Sequence, residues 1–192
     1  CALFFQGAAA PKVILFFGDS ITAGYGLSPE EAFPALVEKK LNKTDKKVKV
    51  VNAGLSGETS AGGLSRIDWI LRQQVDIFVL ELGGNDGLRG LPLDQTRKNL
   101  QGIIDKVKAK YPNCKIVMAG MMVPPNMGKE YTEEFKRVYP DLSSKNKTTF
   151  IPFILDGVGG IEKLNQADGI HPNVEGHQII AGKIAPVFEK LL

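Results

Sequence analysis

Five stretches of the chain carry enough consecutive or alternating apolar residues to form strands, at residues 13–17, 48–52, 75–82, 115–120 and 148–153. The first and third are almost unbroken apolar runs, the pattern of strands covered on both faces of a parallel sheet. Between the strands the apolar spacing lengthens to three and four, which predicts helices. Residues 29–41 place Phe33, Leu36, Val37 and Leu41 on one side, after Ser28 as an N-cap and Pro29 in the first turn. Residues 61–74 do the same with Leu64, Ile67, Ile70 and Leu71, and residues 94–110 with Leu100, Ile103, Ile104 and Val107. Residues 129–146 form a weaker helix broken by Pro140, and 174–192 a helix through Ile179, Ile180, Ile184 and Val187 interrupted by Pro186.

Strict alternation of strand and helix implies right-handed crossovers, hence an α/β chain with a five-stranded parallel sheet between two helix layers. With no linker or repeat, residues 8–192 read as one domain. In such sheets, sites form on loops leaving the carboxyl ends of the strands. Gly18-Asp19-Ser20, the turn from Gly54 to Gly57, the turn from Gly83 to Asp86 and the loop from Met121 all fall there.

The 192 residues are 43% hydrophobic and 23% charged, an ordinary balance for a globular protein, and the net charge of +3 is too small to imply a nucleic-acid partner. The lysines at 39, 40, 43, 46, 47 and 49 read as a solvated helix end and loop, with an anionic lipid surface as the alternative. Cys1 and Cys114 give neither a disulfide framework nor metal-ligand spacing, and Cys114 beside an apolar run reads as a buried structural thiol. No segment approaches the ~18 apolar residues of a membrane span, so stable membrane insertion is not expected.

Residues 1–7 match much of the protease tag Glu-Asn-Leu-Tyr-Phe-Gln-Gly and are read as an expression-tag remnant. The native part then starts near Ala8 without an initiator Met, as after removal of a secretory leader. That favours a periplasmic, cell-envelope or secreted location over a cytoplasmic one. The competing reading makes Cys1 the lipid-bearing first residue of a lipoprotein.

Three residues carry the candidate chemistry. Ser20 ends the first strand, and Asp168 stands three residues before His171. Serine is a weak nucleophile until an imidazole takes its proton, and the imidazole needs a carboxylate to fix its tautomer. Acyl transfer also needs donors for the oxyanion, and the glycine-containing loop ending at Gly57 and the turn carrying Asn85 can supply them. Asp19 suits a loop hydrogen bond better than an acid role. No Gly-x-Ser-x-Gly elbow exists, and Gly24-Tyr25-Gly26 lacks the third glycine of a dinucleotide fingerprint. His171, Glu175 and His177 do not form a zinc pattern, and His177 reads as a surface residue of the last helix.

Four blocks together resemble the SGNH family of GDSL-type hydrolases: 18–26 beginning Gly-Asp-Ser, 52–60, 81–90 and 168–173. The likeness covers nearly everything from Val13 onward and is nearest to the bacterial thioesterase I/lysophospholipase branch. It implies the three-layer, flavodoxin-like fold of that family and a metal-independent serine hydrolase without cofactor, acting on small-molecule acyl esters, thioesters or lipids. It further implies Ser20 as nucleophile, His171 as base and Asp168 as its partner, with the Ser20 N–H, the Gly57 N–H and the Asn85 amide as oxyanion hole. For Met121, Met122, Val123 and Pro124 it suggests a wall of an acyl-chain groove, against filling of the core as the plain alternative. A carbohydrate acetyl esterase is the runner-up, and a non-catalytic lipid- or glycan-binding module comes after it.

Overall fold

A computed structural model describes residues 10–192. The tag-remnant reading of residues 1–7 therefore lies outside the described residues. Strand β1 (Lys12–Gly18) sets the architecture, because Ile14, Leu15, Phe16 and Phe17 are all fully buried. Successive strand residues face opposite ways. Phe16 meets Phe33 and Phe188 edge-on at 5.4 Å on one face, while Phe17 meets Phe78 at 5.6 Å.

β2 (Val48–Gly54), β3 (Ile77–Glu81), β4 (Lys115–Ala119) and β5 (Thr149–Ile151) complete one parallel sheet in the order β2-β1-β3-β4-β5. Helices α2 (Phe33–Leu41) and α7 (Val174–Leu191) pack together on the Phe16 side. Helices α3 (Ser60–Ile70), α5 (Leu93–Lys110) and α6 (Lys129–Asn146) pack in succession on the other. The expected three-layer α/β/α arrangement is the observed one.

The boundaries carry the differences. Helix α2 begins four residues later than its apolar spacing predicts, with Pro34 in its first turn. Ser28 does not cap it: its N–H and Oγ both donate to Glu31, at 3.1 and 2.7 Å, closing a separate turn. Pro140 and Pro186 break neither helix. The buried stripes Phe135, Val138, Tyr139, Leu142 and Ile180, Ile184, Phe188 run straight across them. Packing on both sides of each proline offsets the missing N–H and ring clash, a cost of ~3 kcal/mol.

Two short helices, α1 (Ser20–Ala23) and α4 (Gly84–Leu88), lack any apolar period and were not foreseen. They sit at the carboxyl ends of β1 and β3. The lysine cluster lies at the other end of the sheet, exposed between α2 and β2. Cys114 is half-buried rather than buried, and desolvation pushes its thiol up to about 11, so it stays protonated. No helix of the described residues is long and apolar enough to cross a membrane.

Candidate active site

Gly18 ends β1 where there is no room for a side chain, since a Cβ would overlap Thr22 Oγ1 and Glu81. The chain then turns into α1 with Ser20 as its first residue. Asp19 caps that turn, its Oδ1 accepting the Ile21 N–H at 3.0 Å. As the first residue of a helix Ser20 has no intrahelical acceptor for its own N–H, and none is found elsewhere among the described residues.

His171 arrives from the loop before α7. Its Nε2 lies 2.9 Å from Ser20 Oγ and its Nδ1 2.6 Å from Asp168 Oδ2. Asp168 Oδ1 accepts the N–H groups of Ile170 at 2.9 Å and His171 at 3.0 Å. The side-chain bond from His171, then the two backbone N–H groups, hold the Asp168 carboxyl down to about 2. An ionised carboxylate only accepts hydrogen bonds. The proton therefore sits on Nδ1, and Nε2 is left as the acceptor for the Ser20 hydroxyl.

The loop is braced by groups the sequence did not flag. Gln166 N–H donates to His171 O at 2.7 Å, and Gln166 Nε2 donates to Tyr25 O at 2.7 Å and Pro172 O at 3.0 Å. The Tyr25 ring lies 4.5 Å from the imidazole at 40°. These contacts tie the His171 loop to the segment that follows α1.

Asn85 stands in α4 with its Nδ2 donating to Glu58 O at 3.0 Å and Asp19 Oδ2 at 3.2 Å. Two acceptors fix which end of the amide is nitrogen. Glu58 is held in turn by Arg66, whose Nε lies 2.7 Å from both carboxylate oxygens and whose Nη2 donates to Ala53 O at 2.8 Å. The guanidinium rests 4.2 Å over the Phe17 ring. Gly57 precedes Glu58 with φ of 77°, a left-handed value that glycine adopts without strain. Its N–H has no acceptor among the described residues, while its carbonyl takes Arg89 Nη2 at 3.0 Å. Gly57 itself is not among the residues that line the cavity described next.

Ser20, Asn85 and His171 line one side of a cavity of about 540 Å³. Met121, Met122, Val123 and Pro124 line another, with Phe153 and Leu155 beyond. Met121 and Val123 point inward and are buried, whereas Met122 and Pro124 are exposed. The four residues thus serve both the core and the cavity wall.

Beneath the nucleophile lies a buried carboxyl pair that sequence reasoning missed. Glu81 Oε2 accepts from Thr22 Oγ1 at 2.6 Å and from Asp19 N–H at 3.4 Å, and Glu81 Oε1 has no partner. Burial raises Asp19 to about 6. Burial and then the charge of Asp19 push Glu81 well above the usual carboxyl range. Glu81 sits between Leu80 and Leu82 in an otherwise apolar run, which was the available signal. Asp86 was missed as well: it accepts from Ser60 N–H at 2.8 Å and Thr96 Oγ1 at 3.2 Å, joining α4 to α3 and α5.

The surface reading of His177 is overturned. It is 1% exposed, lies 5.9 Å from the Phe33 ring in a stacked arrangement, and its Nδ1 accepts the Phe33 N–H at 3.0 Å. Burial, then the proximity of His171, lowers it to about 4, so it is neutral. Its spacing to Ile180, Ala181 and Ile184 put it on the buried stripe.

Residues 16–179 match the model of the GDSL-like lipase/acylhydrolase family. The chain belongs to that family. It is 40% identical over 185 residues to Esterase TesA of Pseudomonas aeruginosa, an alignment covering 96% of this chain and 91% of that protein. It is 39% identical over 186 residues to the Escherichia coli protein named Thioesterase 1/protease 1/lysophospholipase L1, covering 96% and 87%. A crystal structure of TesA superposes with a TM-score of 0.89 at 40% identity, over 94% of this chain and 100% of that one. The three-layer fold of this GDSL-like chain is accordingly the family's fold.

Proposed function

We propose that the protein is a serine hydrolase that cleaves acyl ester or thioester bonds through an acyl-enzyme intermediate. The supporting observation is the continuous chain Ser20 Oγ, His171 Nε2, His171 Nδ1, Asp168 Oδ2, with steps of 2.9 and 2.6 Å across the two hydrogen bonds. Ser20 Oγ attacks the acyl carbon as His171 Nε2 takes its proton, and ionised Asp168 stabilises the imidazolium. The carbonyl oxygen becomes an oxyanion facing the Ser20 N–H, the Gly57 N–H and the Asn85 amide, which would share with it the N–H that makes the longer contact, 3.2 Å to Asp19. Collapse breaks the bond to the alcohol or thiol, which leaves with the proton from His171. Water then repeats the sequence on the acyl-serine, releasing the carboxylic acid and restoring Ser20. Every group in these steps comes from the chain, and none requires a metal.

Acyl esters and thioesters of medium chain length fit the cavity better than acetyl groups. Its volume falls in the usual range for small-molecule sites, ~300–1,000 Å³, and its lining away from Ser20 is apolar. The test is nitrophenyl butyrate with the parent and Ser20→Ala. The parent should release a burst of nitrophenol, and the variant should lose roughly 10³-fold or more of the turnover while remaining folded. Full activity in clean Ser20→Ala would end this reading.

A further inference from the structure

We infer that Asp19 is a positioning residue for the hydrolysis, aiming the Asn85 amide at the oxyanion and doing so only as a carboxylate. The inference rests on the role proposed above for Asn85. Asp19 is 2% exposed and its two oxygens have separate tasks. Oδ1 accepts the Ile21 N–H, which fixes the turn that presents Ser20. Oδ2 lies 3.2 Å from Asn85 Nδ2, at the edge of the cavity.

An amide side chain can stand either way round, and its neighbours decide. With acceptors at Glu58 O and Asp19 Oδ2, nitrogen is the end that satisfies both. A proton on Oδ2 would make Asp19 a donor. The amide would then gain by turning its carbonyl toward Asp19, and a negative dipole end would replace a donor beside the oxyanion.

Charged and titratable groups face Asp19 from several elements. Glu81 lies below it on β3, His171 on the loop before α7, and Glu58 on the loop after β2, the last paired with Arg66 of α3. Tyr139 of α6 is pushed well above its usual value by burial and then by the charges of Glu81 and Asp19. Burial is the chief reason that Asp19 titrates near 6, opposed by the Ile21 bond, by His171 and by Asn85. Glu81, deeper and with one oxygen unpaired, is pushed well above the usual carboxyl range by burial and then by the charge of Asp19.

Acid then acts at two places: it removes the base, and by neutralising Asp19 it weakens the hold on the Asn85 amide. The parent's acid limb should therefore exceed a slope of one over part of its range, through the roughly 10- to 30-fold that Asp19 carries, before returning to one. Asp19→Asn removes the second while retaining a good N-cap for α1. Its single carbonyl oxygen can serve Ile21 or Asn85, not both. With nitrophenyl butyrate, D19N should lower kcat about 10- to 30-fold with KM within about threefold, and its acid limb should have a slope of one. In an Asn85→Ala background the same change should alter kcat less than about twofold, because the group it positions is gone. An equal loss in both backgrounds, a loss carried by KM, or a parent acid limb that nowhere exceeds a slope of one would overturn the proposal. The parent's slope needs no variant, so a misfolded D19N leaves a decisive measurement. Turnover retained in Ser20→Ala would instead bring down the hydrolase reading itself.

Discussion

The buried His177 makes a stability prediction whose size follows from the structure. Its imidazole falls from an ordinary value of 6.5 to about 4 on folding. As pH drops through 6.5 the unfolded chain takes up a proton that the folded one refuses, so stability declines until the folded group also titrates near 4. At 1.36 kcal/mol per pH unit, the loss between pH 7 and pH 4 is about 3 kcal/mol. Asp19 works in the opposite sense: its folded value is raised to about 6, so its protonation recovers stability over the same interval. A single stability curve would mix the two. The difference between the parent and His177→Asn isolates the histidine, because every other group titrates in both. Asparagine can place Oδ1 where Nδ1 accepts the Phe33 N–H and does not titrate. At pH 7 the variant should be less stable by ~1–2 kcal/mol for the lost ring packing. By pH 4 the gap should close and reverse, moving by about 3 kcal/mol in all. Urea unfolding at pH 7, 5.5 and 4 measures it, and a gap that stays constant would refute the argument.

Asn85→Ala should lower turnover of an acyl ester by ~10²–10³-fold, about 3–4 kcal/mol, with little change in KM, if the amide meets the developing oxyanion. Weakened binding with full turnover in steady-state kinetics would assign Asn85 to substrate recognition instead. Catalytic efficiency should rise from two-carbon to about six- or eight-carbon acyl esters, each buried methylene adding up to ~0.8 kcal/mol. Met122→Ala should flatten that rise. A monotonic fall from acetyl upward across a nitrophenyl ester panel would favour a carbohydrate acetyl esterase.

The layers and the alternation of strand and helix were legible because the sheet is covered on both faces. A strand such as β1 is then an unbroken apolar run, here Val13 to Phe17, and its flanking helices show one apolar stripe each. The ends were less legible. β5 keeps three residues, Thr149–Ile151, because Pro152 brings no N–H to the ladder at the sheet's edge. Helices α1 and α4 are held by caps and side-chain bonds, which leave no periodic trace. Ser20, Asp168 and His171 were picked out by their positions and by the family likeness, and the fold brings them into one hydrogen-bonded line. Asp19, Glu81, Asp86 and His177 were harder, since a polar residue in a list of residues carries no mark of burial. Each is buried because specific donors or acceptors meet it, and those partners come from distant segments.

The bond between His171 and Ser20 joins residues 151 positions apart, and that between Phe33 and His177 spans 144. Contacts of such separation demand the largest loop-closure entropy and form late unless local structure brings their ends together. All five strands precede residue 168, so a chain not yet extended past that point holds every strand and the serine but no imidazole to activate it. Docking of α7 against α2 brings the base in. Hydrolysis is thereby a property of the completed chain, and recovery of activity on refolding reports the last helix to settle rather than the formation of the sheet.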